Sequence, residues 1–532
     1  MVINEQSMSD RDSLTSRRKL LQSLGVGSVA ALGGCLGGSN SGGNASTQSG
    51  GDDTAQSQSD SGFAAQAENI DFENNWEQRR STTLDEWPLE SRQDIPGSDS
   101  MGEPESWKET AAVKDAPWQP PEGWEDTPAG DVETIQILNH GALEYDPATA
   151  FAYALFEERT GINIEVLPLP VDQAVPKKNA VFSSGQSNPH GLMVRSVGSF
   201  PSFVQNGYLE ETPVYPAEEM WDMYIPSMRK SFSFDGEAYL TPGILQGSLV
   251  HTRPDMMREQ GVDEETVSAI VDGSYSWDDL ETVMEAFEGS DKFAWAYRGG
   301  SRNYTFRDWT MMYYEAGGSF VDESGYVSVN DEAGIAALSK MVEWKENGWV
   351  PSGVSSFSQG DLADRFMSGQ LAMVPVSGDL IPSAVEKFGQ GGNYAPTTPP
   401  EGGSEMPNPT KAGMASPNGM SINAQSDVGH KLAMALYQDC RLSFENMWME
   451  AVVEGNQTYN PTVFEQATET DSMRYPEVRK QAMEVVKVEV FPQMQSIAQT
   501  VSEQLQMAIS GGKSAENALN AAQETIDTTL GQ

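Results

Sequence analysis

Thr134-Ile135-Gln136-Ile137-Leu138, the run from Thr149 to Arg159, and Ile162-Asn163-Ile164-Glu165-Val166 decide the fold. The first is a short β-rich run and predicts a strand. The second carries Phe151, Leu155 and Phe156 on one side at helical spacing, which predicts an amphipathic helix that Gly161 is well placed to end. The third alternates apolar and polar residues, as a half-buried strand does. Strand, helix and strand in this order form a βαβ unit, and hence a mostly parallel sheet in an α/β fold. Downstream, apolar spacing predicts helices at 276–288, 331–347, 428–449, 476–508 and 514–530. No internal repeat is visible.

Before Asp131 the chain has another character. Ser16-Arg17-Arg18-Lys19-Leu20-Leu21 resembles a twin-arginine export signal, a short apolar run follows, and Leu32-Gly33-Gly34-Cys35 resembles a lipobox. The run to Leu32 is too short to span a membrane, which takes about 20 apolar residues. Residues 1–35 therefore read as a signal, with Cys35 carrying lipid and anchoring the chain at the outer face of the cell membrane. Residues 36–62 read as a flexible tether, since Gly and Ser fill 14 of the 26 places from 37 to 62. Residues 63–130 hold Trp76, Trp87, Trp107, Trp118 and Trp124 among prolines and acids. Such a tract either wraps the globular body or recognises a partner; wrapping is the favoured reading.

The chain has 532 residues, with 78 acidic against 33 basic side chains and a net charge of −45. A chain this acidic repels phosphate backbones and anionic lipid surfaces, which excludes nucleic-acid binding as a main activity. The acids are spread rather than blocked into a tail, and no calcium-loop spacing occurs. Lys is scarce, at 15 residues. A dispersed acid excess keeps a protein soluble where molar salt screens repulsion within about 3 Å, the mark of a halophilic, archaeal-type source. The 47 aromatic residues exclude a wholly disordered chain, and two Cys make neither a disulfide framework nor a zinc site.

Phe156-Glu157-Glu158-Arg159-Thr160-Gly161-Ile162-Asn163-Ile164-Glu165-Val166 resembles the opening "FEKxTGIKVEV" of family 1 extracellular solute-binding proteins, the sugar-binding subunits of ABC importers. Other landmarks follow in the family's order. Gln205-Asn206-Gly207-Tyr208-Leu209-Glu210, Phe234-Asp235-Gly236-Glu237-Ala238-Tyr239 before Pro242, and Ser276-Trp277-Asp278-Asp279-Leu280 resemble "QxGxLxxL", "xDGKxYGLP" and "TWDEL". Phe366-Met367-Ser368-Gly369-Gln370-Leu371-Ala372-Met373 resembles "FxxGKxAM", and Gly512-Lys513-Ser514-Ala515 resembles "GKSxEEAL". Near Ser184-Gly185-Gln186, His190 stands where Asp is usual.

The resemblance implies a two-lobed, type II periplasmic-binding-protein fold, with ligand held between lobes that close by hinge bending. Lobe one is expected at 131–243 and 414–452, and lobe two at 244–413 and 453–532. Function is then capture of a sugar or polyol and delivery to an ABC permease with its cytoplasmic ATPase, by a monomer that needs no cofactor. The alternatives are a binding protein for a non-sugar solute (a glycerol phosphate ester, uronate or peptide) and an extracellular carbohydrate-active enzyme. An acidic ligand would need a cation such as Arg195 or Arg302.

A sugar offers a fan of hydroxyls and apolar faces, so its site needs planar polar groups and rings. Candidates at the family's ligand positions are Asn139 and His140 after the first strand, Ser196, Gln246 after Pro242, and Tyr459 with Asn460. Ser377-Gly378-Asp379 resembles the family's "GPW" turn, with Asp379 in place of the stacking Trp. Tyr304 or Trp309 would supply a ring instead, although Trp309 is equally suited to a core. No metal set, nucleophile elbow or phosphate loop survives inspection: the four His lack ligand spacing, and Met507 stands where a phosphate loop needs Gly. Cys440 reads as a buried thiol. Sequons at Asn44, Asn303 and Asn456 offer sites for glycosylation.

Overall fold

The βαβ unit is present in the computed structural model as β1 (Thr134–His140), α1 (Pro147–Thr160) and β2 (Asn163–Leu169). The structure describes residues 57–532 apart from 98, 141–145, 170, 196–198, 216–228, 230, 248, 301, 323, 457–459, 490 and 492. It gives the backbone alone at 57–61, 140, 168–169, 171–176, 195, 243–247, 302–303 and 416–417. The signal, with Cys35, and most of the tether lie outside these residues.

Helix α1 starts where Asp146 accepts the Thr149 amide and Pro147 takes the first turn, and it stops at Gly161, whose φ of 74° suits a residue without Cβ. β1 pairs in parallel with β2 from Thr134↔Asn163 to His140↔Leu169, and on its other side with β3 (Gly191–Arg195). β4 (Leu240–Gly247) leaves this region for a second sheet, in which β5 (Leu249–Thr252) lies between β6 (Met373–Val376) and β7 (Ala395–Thr397). Between β5 and β6 come α2 (Arg302–Glu315) and α3 (Gln359–Met367). β8 (Gly413–Asn423) returns, running antiparallel to both β3 and β4. After it come α4 (Val428–Arg441), α5 (Phe444–Val452) and α6 (Pro476–Glu484), then β9 (Val486–Lys487) in parallel with the start of β8. α7 (Met494–Ile509) and α8 (Ala515–Leu530) end the chain.

Two predicted helices are therefore interrupted. The 428–449 run divides at Ser443, whose side chain accepts the Asn446 amide and caps a fresh helix. The 476–508 run divides where β9 pairs with β8, ahead of Pro492, which lacks the N–H that a continuous helix needs.

The molecule is two-lobed because it has two hydrophobic cores. One contains the β1–β3 sheet residues with α1, α4 and α5; the other contains β5, β6 and helices α2, α7 and α8. The expected break at 453 is too early: Val463, Ala467 and Met473 belong to the first core, because the helix Pro461–Glu469 packs directly on α5. Around α6 the chain touches both cores: Tyr475, Val478 and Ala482 pack on the second, and Met483, Val486 and Val488 on the first.

Residues 63–130 wrap the first lobe. Trp87 and Trp107 are fully buried against Phe151, and Trp87 meets Trp448 edge-on at 5.5 Å. The same cover explains why every residue of α1 from Ala148 to Phe156 is buried, where an amphipathic helix would show one face to water. Polar fastenings complete the strap. Asp439 receives the Asn75 amide and the Trp118 indole N–H and pairs with Arg79 at 3.2 Å, all inside the protein. Arg159 donates to the carbonyls of Val113, Lys114, Ala116 and Trp118. The tether is shorter than expected, since the helix Ser57–Ala67 begins within it; Phe63 and Ala67 gain a buried place in the first core.

Candidate functional site

The sheet of the first lobe gathers several candidates at one edge. β1 ends at His140, and β3, parallel to it, ends at Arg195. Arg195 lies opposite Asn418 in β8, and Gln246 of β4 lies opposite Ser416 of the same strand. The carboxyl end of β3 thus borders β8, which also pairs with β4, and that of β1 lies one strand further on, at the sheet edge where open α/β folds take ligands. For His140 and Gln246 only the backbone is described; Ser196 and Tyr459 lie outside the described residues, as does the side chain of Arg195. Asn139 is buried, and its amide donates to the Tyr153 hydroxyl at 3.4 Å, so it faces α1 rather than the lobe rim expected for it.

The second lobe brings Tyr304 and Asp379 into one polar chain through residues the sequence reading missed. Arg298 is buried and grips Asp308 through Nε, at 2.9 Å, and Nη2. Its Nη1 donates to Gln359 Oε1 at 2.9 Å, and its guanidinium carbon stands 5.2 Å from the Tyr304 ring centre. Gln359 Nε2 donates to Ser377 Oγ at 2.9 Å, and Ser377 Oγ donates to Asp379 Oδ1 at 2.6 Å. The Ser377 carbonyl meets His251 Nε2 at 3.0 Å, while His251 Nδ1 meets the Tyr394 hydroxyl. Burial lowers the His251 pKa to about 4, which keeps this clamp neutral.

Local sequence explains the convergence. Ser358 and Asp361 form a capping box that fixes Gln359 in the first turn of α3. Gly299 and Gly300 lie flat on the 354–357 loop, where a Cβ on Gly300 would come 2.2 Å from the Ser356 carbonyl oxygen. Without a side chain at those positions, Arg298 reaches Gln359; Arg-Gly-Gly was the available signal. Trp309 is a core ring: fully buried, stacked on Tyr313 at 5.0 Å, its indole N–H on the Gly334 carbonyl. Asp379 is exposed.

The two lobes abut beside this turn. A Cβ on Gly378 would lie 2.6 Å from the Gly455 carbonyl oxygen, just past α5. Next to Gly455, carboxylate oxygens of Asp146, Glu450 and Glu454 lie within 4.8 Å of one another, close enough to hold a cation. They are already engaged: Glu450 with Arg441 at 3.0 Å and Asn456 at 2.9 Å, Glu454 with Asn456 and the Ala148 amide, and Asp146 with Thr149. Burial first, then Asp146 and Glu450, hold the Glu454 pKa well above the carboxylate range; burial lifts Glu450 to about 8 against the pull of Arg441.

Elsewhere, the fold stacks His190 and His430 with ring centres 3.9 Å apart, a meeting their sequence spacing hid. The rings lie face to face, and His190 Nδ1 takes the Gln136 amide proton, an arrangement for packing rather than for chelation. Cys440 is fully buried, as expected. The Asn456 amide is buried between two carboxylates, so the folded chain does not present that sequon to a glycosylating enzyme. No described helix is long and apolar enough to cross a membrane.

The chain belongs to the family of bacterial extracellular solute-binding proteins, whose sequence model matches residues 152–439. Solved structures agree on the two-lobed fold. Maltose-bound MalE3 of T. maritima superposes with a TM-score of 0.65 at 16% identity, over 74% of this chain and 99% of that one. An ABC transporter solute-binding protein of Thermotoga lettingae, bound with α-D-tagatose, gives 0.64 at 17% identity, over 75% and 100%. One from Agrobacterium radiobacter, in complex with ribitol, gives 0.63 at 17% identity, over 74% and 97%. No curated protein matches the sequence.

Proposed function

We propose that this chain is the substrate-binding subunit of an ABC importer, capturing a sugar or polyol between its lobes and delivering it to the membrane permease. One observation carries the reading. The Ser377–Asp379 turn of the second lobe meets the first lobe backbone to backbone, Gly378 against Gly455, so that a polar turn of one lobe faces the other. A ligand touching both sides favours closure, because it contacts both lobes only when they are together. The maltose, tagatose and ribitol bound by the structural relatives support the solute class. In this reading His140, Ser196, Gln246 and Tyr459 act from the first lobe, and Tyr304 and Asp379 from the second. Asn139 supports the end of β1 through Tyr153. The body works as a monomer outside a halophilic cell, held by a lipid on Cys35, and binds without turnover.

A thermal-shift screen of sugars, polyols and sugar acids in molar KCl tests it. A ligand present at a hundredfold excess over its Kd should stabilise the fold by about 2.7 kcal/mol. If a peptide or metal shifts the melt and no sugar or polyol does, the reading fails.

A further inference from the structure

We infer that Asp379 determines specificity, and that Asp308, Arg298, Gln359 and Ser377 are positioning residues that make the site select neutral, hydroxyl-rich ligands and reject anionic ones. This rests on the proposal that solute binds between the lobes.

The argument is one of hydrogen-bond direction. A guanidinium only donates, so the Gln359 atom facing Arg298 Nη1 must be the amide oxygen. That fixes the amide, which left to itself has two nearly equivalent orientations, and turns its N–H toward Ser377 Oγ. Ser377 has one hydroxyl proton. With a lone pair of its oxygen taken by Gln359, it directs that proton to Asp379 Oδ1. The Ser377 backbone cannot swing away, because His251 holds its carbonyl. The chain therefore begins on a group that can only donate and ends on one that can only accept.

Among the described residues Asp379 Oδ2 receives no hydrogen bond, and the residue is exposed next to the Gly378–Gly455 contact between lobes. What remains open at the end of the relay is thus a negative acceptor, Oδ2, to which no described residue donates. A hydroxyl can give it a charge-assisted hydrogen bond; a carboxylate or phosphate would meet it charge to charge with no proton to share. The half-buried Tyr304 ring stands by Arg298, at the other end of the same relay.

The test is calorimetric titration of the full chain in molar KCl with maltose, ribitol and D-mannitol as neutral probes, and D-glucuronate and glycerol 3-phosphate as anionic ones. The wild type should bind at least one neutral probe and neither anion. Asp379→Asn, isosteric and on the surface, should melt as the wild type does, weaken the neutral probe at least tenfold, and raise anion binding relative to it. Gln359→Glu turns an acceptor toward Ser377, takes its proton, and should weaken the neutral probe several-fold with the melt unchanged. A purely structural role for the relay would alter the melt and leave the ratio of neutral to anionic affinity where it was. Wild-type preference for an anion, or unaltered affinity and selectivity in both variants, would overturn the inference. Failure of the folded wild type to bind any of the probes would instead overturn the sugar and polyol reading on which it rests.

Discussion

Arg298 is the residue on which the second-lobe site turns, and its charge is tolerable inside the protein only because Asp308 answers it. Both are 3% exposed, and Asp308 also accepts the Arg298 backbone amide. Replacing Asp308 by Ala strands a buried guanidinium, a change that typically costs about 3–5 kcal/mol. Chemical denaturation should show a loss of that order, with binding lost as well. The carboxyl cluster beside Gly455 makes a different prediction. The folded protein holds protons on Glu454 and Glu450 that the unfolded chain releases near 4.5. Their contribution to stability is therefore full below that pH and declines as pH rises toward about 8, where Glu450 ionises in the folded state. Glu454→Gln keeps an acceptor for the Ala148 amide and removes the titrating group. Melting curves should place the variant above the wild type at pH 8 and level with it near pH 4.

Among the elements, the Trp-rich strap is held by buried tryptophans. Trp87 is fully buried between Phe151 and Trp448, so Trp87→Ala leaves a cavity and should cost about 3–5 kcal/mol, read by denaturant midpoint. A smaller effect, under 1 kcal/mol, would show the strap to be loosely held. The βαβ unit was legible because its information is local: apolar spacing in 149–159 and a glycine at 161 need no distant partner. The break at Ser443 was not, since one serine within a long apolar periodicity reads equally as a surface residue. The relay was hidden for a deeper reason: Arg298 and Gln359 are 61 positions apart, and what joins them is the missing side chains of Gly299 and Gly300. Composition exposed the strap as unusual, yet nothing near Trp118 announces that its partner is Asp439.

At the scale of the whole molecule, the lobes meet backbone to backbone at Gly378 and Gly455. Gly378 permits the close approach to Gly455, and Gly378→Ala forces the two segments apart, because the added Cβ would press on a carbonyl oxygen that has no side-chain freedom. Each lobe should fold normally in this variant, while solute affinity drops about tenfold, equivalent to about 1.4 kcal/mol. Titration calorimetry gives the affinity, and small-angle scattering with and without solute should show less compaction than in the wild type. Unchanged affinity and compaction would mean that ligand closure brings the lobes together elsewhere.

The strap also sets a timetable. Arg79 lies 360 residues ahead of Asp439, the carboxylate that receives it. At about 5–20 residues per second, a ribosome needs roughly 20–70 s to cover that interval. For that time the tryptophans at 76, 87, 107 and 118 have no finished surface to settle on. The first segment of the body to be synthesised is thus among the last to find its place, and the nascent chain carries an adhesive leading end until its final fifth emerges.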